Sequence, residues 1–166
     1  MQTAYSYAKM EEKDLEEVVT IEQVVFRHPW SEGFFRLILQ DHNNWIITLR
    51  RETTLLGYGG YHLLKKRPSF LPLTVSSNGI IHLINIAINP SFQHQGLGTL
   101  LIELLFSNAK RRNAGYCYLE VRPSNTKAFR FYQHSNFSVI GLIENYYAQD
   151  KEDAIVMGKT LPGLIR

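Results

Sequence analysis

The run Gln93-His94-Gln95-Gly96-Leu97-Gly98 is the densest chemistry-bearing stretch of the chain. It stands between an apolar segment, Ile80–Ile88, and an amphipathic one, Leu97–Arg112. Two glycines at the mouth of a helix let backbone N–H groups converge, and the helix dipole adds positive potential, so a phosphate or pyrophosphate is the natural occupant. A plain tight turn accounts for the same two glycines. The run is not a dinucleotide fingerprint, which would need glycine at Leu101. It is not a Walker loop either, since no Gly-Lys-Ser/Thr follows. Further along, Glu120 closes a segment otherwise made of Tyr116, Cys117, Tyr118 and Leu119. A carboxylate in such company loses hydration, which suits a general base; an ion pair with Arg122 is the structural alternative. Asn125 and Tyr132 are seven residues apart. In a helix that separation is two turns less about 20°, so both side chains would share a face. Tyr132 can equally pack in a core beside Phe129 and Phe131. Cys117 lies on the strand face opposite Glu120 by alternation, so it is not read as a nucleophile. His28, His42, His62, His82, His94 and His134 show no metal-ligand spacing, and no metal is expected.

These residues need elements to hold them. Ile80–Ile88 is nearly continuous in apolar residues and ends at Asn89-Pro90, as suits a central strand buried on both faces. Leu97, Leu100, Leu101, Leu104 and Leu105 mark the stripe of a helix over Leu97–Arg112, with Lys110, Arg111 and Arg112 at its C-terminal end. Gly115–Val121 reads as the next strand, so a β-α-β crossover with a parallel central pair follows. Ser124 is placed to cap a helix running to about His134. Phe137–Ile143 and Ala154–Lys159 read as two last strands. Ahead of the crossover, Thr3–Ala8 alternates weakly as a strand, and Glu11–Phe26 reads as an amphipathic helix broken by Pro29. Ser31 can cap a short helix, Glu32–Leu39. Trp45–Leu49 and Thr54–Leu64 look like an antiparallel pair. Gly57, Gly59 and Gly60 in the second of these suggest a bulge or a close backbone approach, or else a turn dividing two short strands. Lys65–Gly79 is loop-like, opening on Lys65-Lys66-Arg67, a charge run of the kind that is usually a solvated face. Phe70, Leu71 and Leu73 are apolar enough to pack somewhere.

The chain has 166 residues, a size for one domain, with 45% apolar and 20% charged residues. The composition excludes collagen-like, coiled-coil and wholly disordered readings. Eighteen Lys plus Arg against fifteen Asp plus Glu leave a net charge of +3. That permits an acidic ligand without demonstrating a nucleic-acid partner. The single cysteine excludes an internal disulfide and a CxxC zinc site. The best apolar run is interrupted by His82 and Asn85, so no membrane span is expected. The acidic Glu11–Glu17 stands where a signal peptide would be hydrophobic. A soluble, cytoplasmic protein is the expectation.

The whole run from His82 to Gly98 resembles the signature of the GCN5-related N-acetyltransferase (GNAT) superfamily. In that family an Arg/Gln-x-x-Gly-x-Gly/Ala loop holds the pyrophosphate of acetyl-CoA. The matching positions here are Gln93, Gly96 and Gly98, with His94, Gln95 and Leu97 inside the loop and the Thr99 hydroxyl one position on. The likeness continues through Leu119-Glu120-Val121-Arg122-Pro123-Ser124-Asn125, Ala128, Phe131-Tyr132 and Asn136-Phe137. It ends with Asn145-Tyr146-Tyr147 and Glu152–Met157. This longer pattern, with His28-Pro29-Trp30-Ser31, is similar to the ribosomal-protein alanine N-acetyltransferase (RimI-type) subfamily. Residues 65–79 do not match and look like an insertion.

The resemblance implies an α/β (α+β) single domain over residues 1–166. Its central sheet would be mixed and mostly antiparallel, with a splayed parallel strand pair, flanked by about four helices. It implies that the acetyl-CoA arm pairs with the backbone of Ile86, Ala87 and Ile88, as an added strand would, and that an N–H there polarises the thioester carbonyl. Asn125 would contact the arm, Tyr132 would protonate the leaving thiolate, and Glu120 would take the amine's proton, directly or through water. Trp30, Ser31, Tyr146 and Tyr147 would line the acceptor groove. A free tyrosine titrates near ~10 and a thiol near ~8.5, so a positioned phenol can donate to a nascent thiolate. A free α-amine titrates about 2.5 units below lysine, a saving of about 3.4 kcal/mol in deprotonation, which favours a protein N-terminus as acceptor. An alanine-starting ribosomal protein is the partner implied; no oligomeric state is. A small-molecule amine or a lysine is the alternative acceptor. A non-catalytic module touching RNA or a ribosomal surface through Lys65–Arg67 and Lys110–Arg112 is the third reading, and it would bind with strong salt dependence.

Overall fold

The computed structural model describes residues 5–75 and 79–161. Seven strands and four α-helices alternate along it. They are β1 (Tyr5–Lys9), α1 (Leu15–Val25), α2 (Glu32–Gln40), β2 (Asn44–Arg51), β3 (Thr54–Leu64), β4 (Ile80–Ile88), α3 (Leu97–Arg111), β5 (Tyr116–Val121), α4 (Thr126–His134), β6 (Ser138–Tyr147) and β7 (Glu152–Thr160). The strands form one mixed sheet in the order β1-β2-β3-β4-β5-β7-β6. β4 and β5 are parallel, with Ile80, Ile81 and His82 opposite Tyr116, Cys117 and Tyr118. The antiparallel pairs β1/β2, β2/β3, β5/β7 and β6/β7 surround them. The chain divides into two compact units. One comprises residues up to His62 together with Ile84–Asn108, the other Leu63–Leu83 with the chain from Ala109 onward.

In the first unit, Leu15, Val18 and Ile21 of α1 recur at helical spacing and are buried. They pack with Phe35 of α2 and with Ile46, Leu55 and Tyr58 of the sheet. Trp30, Phe35 and Tyr58 stand edge to face in series, with centroids 5.5 and 5.7 Å apart, the arrangement that aromatic quadrupoles favour. β3 is one continuous strand with no turn at its glycines. A Cβ on Gly57 would collide with the carbonyl oxygen of Ala87, and one on Gly60 would stand 3.1 Å from Ile46 Cα. Close backbone approach is thus what these glycines serve, and β3 also carries a bulge beside Gly57: Leu49 pairs with Gly57 and Arg50 with Leu55, which leaves Leu56 as the extra residue.

In the second unit, Ile80, Tyr118 and Val156 are buried together with Leu71 and Val75 of the 65–75 segment. Phe70 meets Tyr118 edge-on at 5.3 Å. Leu73, read as a packing residue, is 87% exposed.

Several boundaries differ from the sequence reading. The first helix begins at Leu15, after a 3-10 turn over Glu12–Asp14 in which the Glu11 N–H donates to Asp14 Oδ2 at 2.9 Å. β4 is fully buried at Ile80, Ile81, Leu83 and Ala87 but only half-buried at Ile84, Asn85, Ile86 and Ile88, so the expected burial on both faces fails toward its C-terminal end. The α4 cap is Asn125, whose side chain accepts from the Ala128 N–H at 3.1 Å, and not Ser124. Of the expected strand over 3–8 and the loop over 65–79, Thr3, Ala4, Ser76, Ser77 and Asn78 lie outside the described residues.

Candidate active site

The second unit holds Glu120 and Tyr132, the residues expected to handle protons. Alternation along β5 sends Tyr118 and Glu120 to one face, and Arg122 follows just past the strand's end. The Glu120 side chain is 9% exposed, and its Oε2 lies 2.5 Å from His82 Nε2. The His82 ring stacks on Tyr118, with centroids 4.6 Å apart and planes 1° from parallel. This follows from register, because His82 and Tyr118 are directly opposite in the parallel ladder. Arg122 is not the partner of Glu120. Its guanidinium binds Asp150 at 2.8 Å and Glu152 at 3.1 Å, and lies 3.7 Å above the Tyr147 ring. Glu152 also accepts from the Ser124 N–H at 2.8 Å, fixing the turn between β5 and α4.

Tyr132 is buried in α4, edge-on to Phe137 at 5.7 Å and tilted against Phe131 at 5.3 Å. Burial pushes its phenol upward, with smaller contributions from Cys117 and Tyr147. Asn125 is the exposed N-cap residue, outside the helical turn. The seven-residue face argument therefore does not hold at its N-terminal end. Tyr146 and Tyr147 end β6, their rings 5.0 Å apart and nearly perpendicular. Burial, and after it the charge of Glu120, raises Tyr146. Tyr147 is pushed up to about 12, by burial first and then Tyr146, while Arg122 works against the shift. Tyr118 rises for the same reasons, burial ahead of Glu120. Glu120 is thus ringed by phenols that stay protonated at neutral pH. Cys117 is fully buried and its thiol is raised by that burial, which leaves it inert.

The first unit carries the turn Gln93–Gly98, expected to meet the pyrophosphate. Gln93, His94, Gln95 and Gly96 are exposed, and His94 and Gly96 hold φ of 61° and 77°. A Cβ at Gly96 would meet nothing within 4 Å, so the glycine answers to backbone conformation and not to crowding. The first helical bond of α3 is Leu100 N–H to Gly96 O at 3.1 Å. The N–H groups of Leu97, Gly98 and Thr99 precede it, as at any helix start. The Gln93 side chain donates to Ile88 O at 3.1 Å, which ties the turn to the end of β4. Ile86 and Ile88 are half-buried and Ala87 is buried.

Trp30 and Ser31 stand ahead of α2. The Ser31 hydroxyl caps that helix, accepting from the Phe34 N–H at 3.2 Å. Trp30 leans on Phe34 and Phe35, at 4.8 and 5.5 Å. The Trp30 backbone N–H donates to Glu22 Oε1 at 2.9 Å. Glu22, buried on α1, also accepts from Tyr58 Oη and from Asn85 Nδ2 at 3.2 Å. Burial raises its pKa, against the lowering by Trp30 and Asn85. Sequence reading missed Glu22, His82 and Tyr118. His82 had a visible signal, an imidazole interrupting an otherwise apolar strand.

Among the described residues, no group of three or more His, Cys, Asp or Glu is placed to hold a metal ion. No helix there is long and apolar enough to cross a membrane. The sequence profile of the Acetyltransferase (GNAT) family matches residues 15–137. The chain is 27% identical over 162 residues to a putative ribosomal protein bS18-alanine N-acetyltransferase of Bacillus subtilis, covering 97% of this chain and 99% of that one. It is 32% identical over 152 residues to the ribosomal protein bS18-alanine N-acetyltransferase of Escherichia coli, covering 90% and 93%. The crystal structure of the Escherichia coli ribosomal-protein-S18-alanine N-acetyltransferase superposes with a TM-score of 0.77 at 27% identity, over 98% of this chain and 99% of that one.

Proposed function

The chain belongs to the GNAT family, and on that premise we propose that it carries the acetyl group of acetyl-CoA to the N-terminal α-amine of a protein, an alanine at the start of a ribosomal protein. Membership makes it an acetyl-CoA-dependent N-acetyltransferase. The choice of acceptor rests on relatives whose names specify alanine of bS18. It rests also on the milder base an α-amine needs, about 3.4 kcal/mol less than lysine.

The carrying observation is the Glu120 carboxylate, 9% exposed and held by the His82 imidazole. One carboxylate oxygen is engaged by the imidazole and the other is left to meet the amine. In the proposed reaction the neutral amine attacks the thioester carbonyl. The nitrogen–carbon bond forms, the carbon–sulfur bond breaks, and the amine's proton passes to Glu120, directly or through one water. Tyr132 gives its proton to the departing sulfur. Burial holds the Tyr132 phenol above its ordinary value. That makes the donation dearer than a free tyrosine would, but a thiolate shed into apolar surroundings rises in the same direction. The amides at Leu97–Thr99 and the turn from Gln93 to Gly98 take the pyrophosphate. The Ile86–Ile88 backbone pairs with the arm, and Asn125 meets it with the part of its amide not used in capping. Trp30, Ser31, Tyr146 and Tyr147 border the acceptor; Ser31 does so with a hydroxyl already serving α2.

Release of free coenzyme A thiol, followed with an alanine-starting peptide, tests these roles. Glu120→Gln and Tyr132→Phe are each expected to cut kcat by about 10²–10⁴, the usual worth of a positioned acid or base. Wild-type turnover in both variants overturns the assignment of roles.

A further inference from the structure

We propose that His82 is a positioning residue for the base: its Nε2–H donates to Glu120 Oε2 and leaves Oε1 as the oxygen that takes the amine's proton. This rests on the acetyl-transfer reading above. The direction of the hydrogen bond follows from chemistry. A carboxylate acting as base has no proton to give, so at 2.5 Å the imidazole must be the donor. A charge-assisted bond of this kind is short and strong.

Three features fix the imidazole. Its backbone is locked opposite Tyr118 in the β4/β5 ladder. Its ring lies flat on the Tyr118 ring, 4.6 Å away. Tyr118 is in turn covered edge-on by Phe70 at 5.3 Å. The unmatched 65–75 segment thereby reaches the base through Phe70, Tyr118 and His82. A glutamate side chain has three rotatable bonds, and among the described residues no other group hydrogen-bonds the Glu120 carboxylate. Without His82 the carboxylate would sample several rotamers and lose its aim at the amine. Reacting groups misplaced by about 1 Å can cost on the order of 10²-fold in rate.

His82→Phe keeps an aromatic ring to stack on Tyr118 but removes the donor. His82→Gln keeps a donor near the Nε2 position. With acetyl-CoA and an alanine-starting peptide, His82→Phe is expected to lower kcat about tenfold to a hundredfold. KM for acetyl-CoA and the thermal midpoint should stay near wild type, and His82→Gln should recover part of the loss. In a Glu120→Gln background, His82→Phe should cost nothing further, since the two act as one unit. Unchanged kcat in His82→Phe overturns the proposal. So does an equal proportional loss with and without Glu120, or a His82→Gln variant as slow as His82→Phe although folded. Absence of any transfer by the wild-type protein would instead defeat the acetyl-transfer reading, and this inference with it.

Discussion

Glu22 and Glu120 are both carboxylates withdrawn from water, yet they are held in opposite ways. Glu22 is 1% exposed and takes three hydrogen bonds, from the Trp30 N–H, Tyr58 and Asn85. Among the described residues, Glu120 takes one, from His82. Those three bonds tie both oxygens of Glu22 into the scaffold, whereas the His82 bond engages only one oxygen of Glu120, as the proposed role of base needs. The pKa of Glu22 is raised from the ordinary 4.5, burial being the larger cause. A raised folded-state pKa means a stability contribution that is full below about pH 4.5 and lost as pH rises through the folded value. Melting temperature between about pH 4 and pH 7 should therefore fall for wild type relative to Glu22→Gln, which cannot titrate there. Parallel curves for the two proteins would show that Glu22 is not linked to folding. The sequence exposed Glu120 through its apolar strand neighbours. It did not expose Glu22, which stands between Ile21 and Gln23 in the C-terminal half of α1 and is hydrogen-bonded by Tyr58 and Asn85 from distant positions in the sequence. Nor did it expose His82 as partner of the base, since that depends on the parallel register of two strands whose facing positions lie 36 residues apart, His82 opposite Tyr118.

At the scale of elements, periodicity made most of the fold legible. Ile80–Ile88, Thr54–Leu64 and the start of the long helix at Leu97 stand where the residue pattern placed them. The sites of ambiguity were helix starts, where neighbouring residues have similar capping chemistry. Ser124 and Asn125 both cap well, and Asn125 does so here. This gives a clean separation of its two roles. Asn125→Ser preserves a capping oxygen, so stability should hold within about 0.5 kcal/mol. KM for acetyl-CoA should rise if the amide also meets the cofactor arm. Asn125→Ala should cost about 1 kcal/mol of stability besides. If KM tracks stability in both variants, Asn125 is a cap and nothing more. Gly57 tests the packing of β3 on β4. Its missing Cβ makes room for the Ala87 carbonyl, and an added methyl would also stand 2.7 Å from Ile88 Cδ1. Gly57→Ala should destabilise the protein by about 1–3 kcal/mol in urea unfolding. It should also weaken acetyl-CoA binding, because Ala87 and Ile88 belong to the proposed arm-binding segment. A neutral effect on both would show that β4 yields freely.

For the whole molecule, the net charge of +3 is enough to favour an anionic ligand and too small to mark a nucleic-acid binder. Acetyl-CoA at about a hundredfold above its Kd should stabilise the fold by about 2.7 kcal/mol, a rise of roughly 5–10 °C in melting temperature for a chain of this length. RNA at matched phosphate concentration should give no comparable rise at physiological salt. The most direct test is fragment mass spectrometry of a peptide that carries both an N-terminal alanine and an internal lysine, after incubation with this protein and acetyl-CoA. The expected result is one acetyl group on the alanine nitrogen, with the lysine unmodified. Acetyl on the lysine, or on neither amine while acetyl-CoA binds normally, would contradict the assignment of an N-terminal α-amine as acceptor.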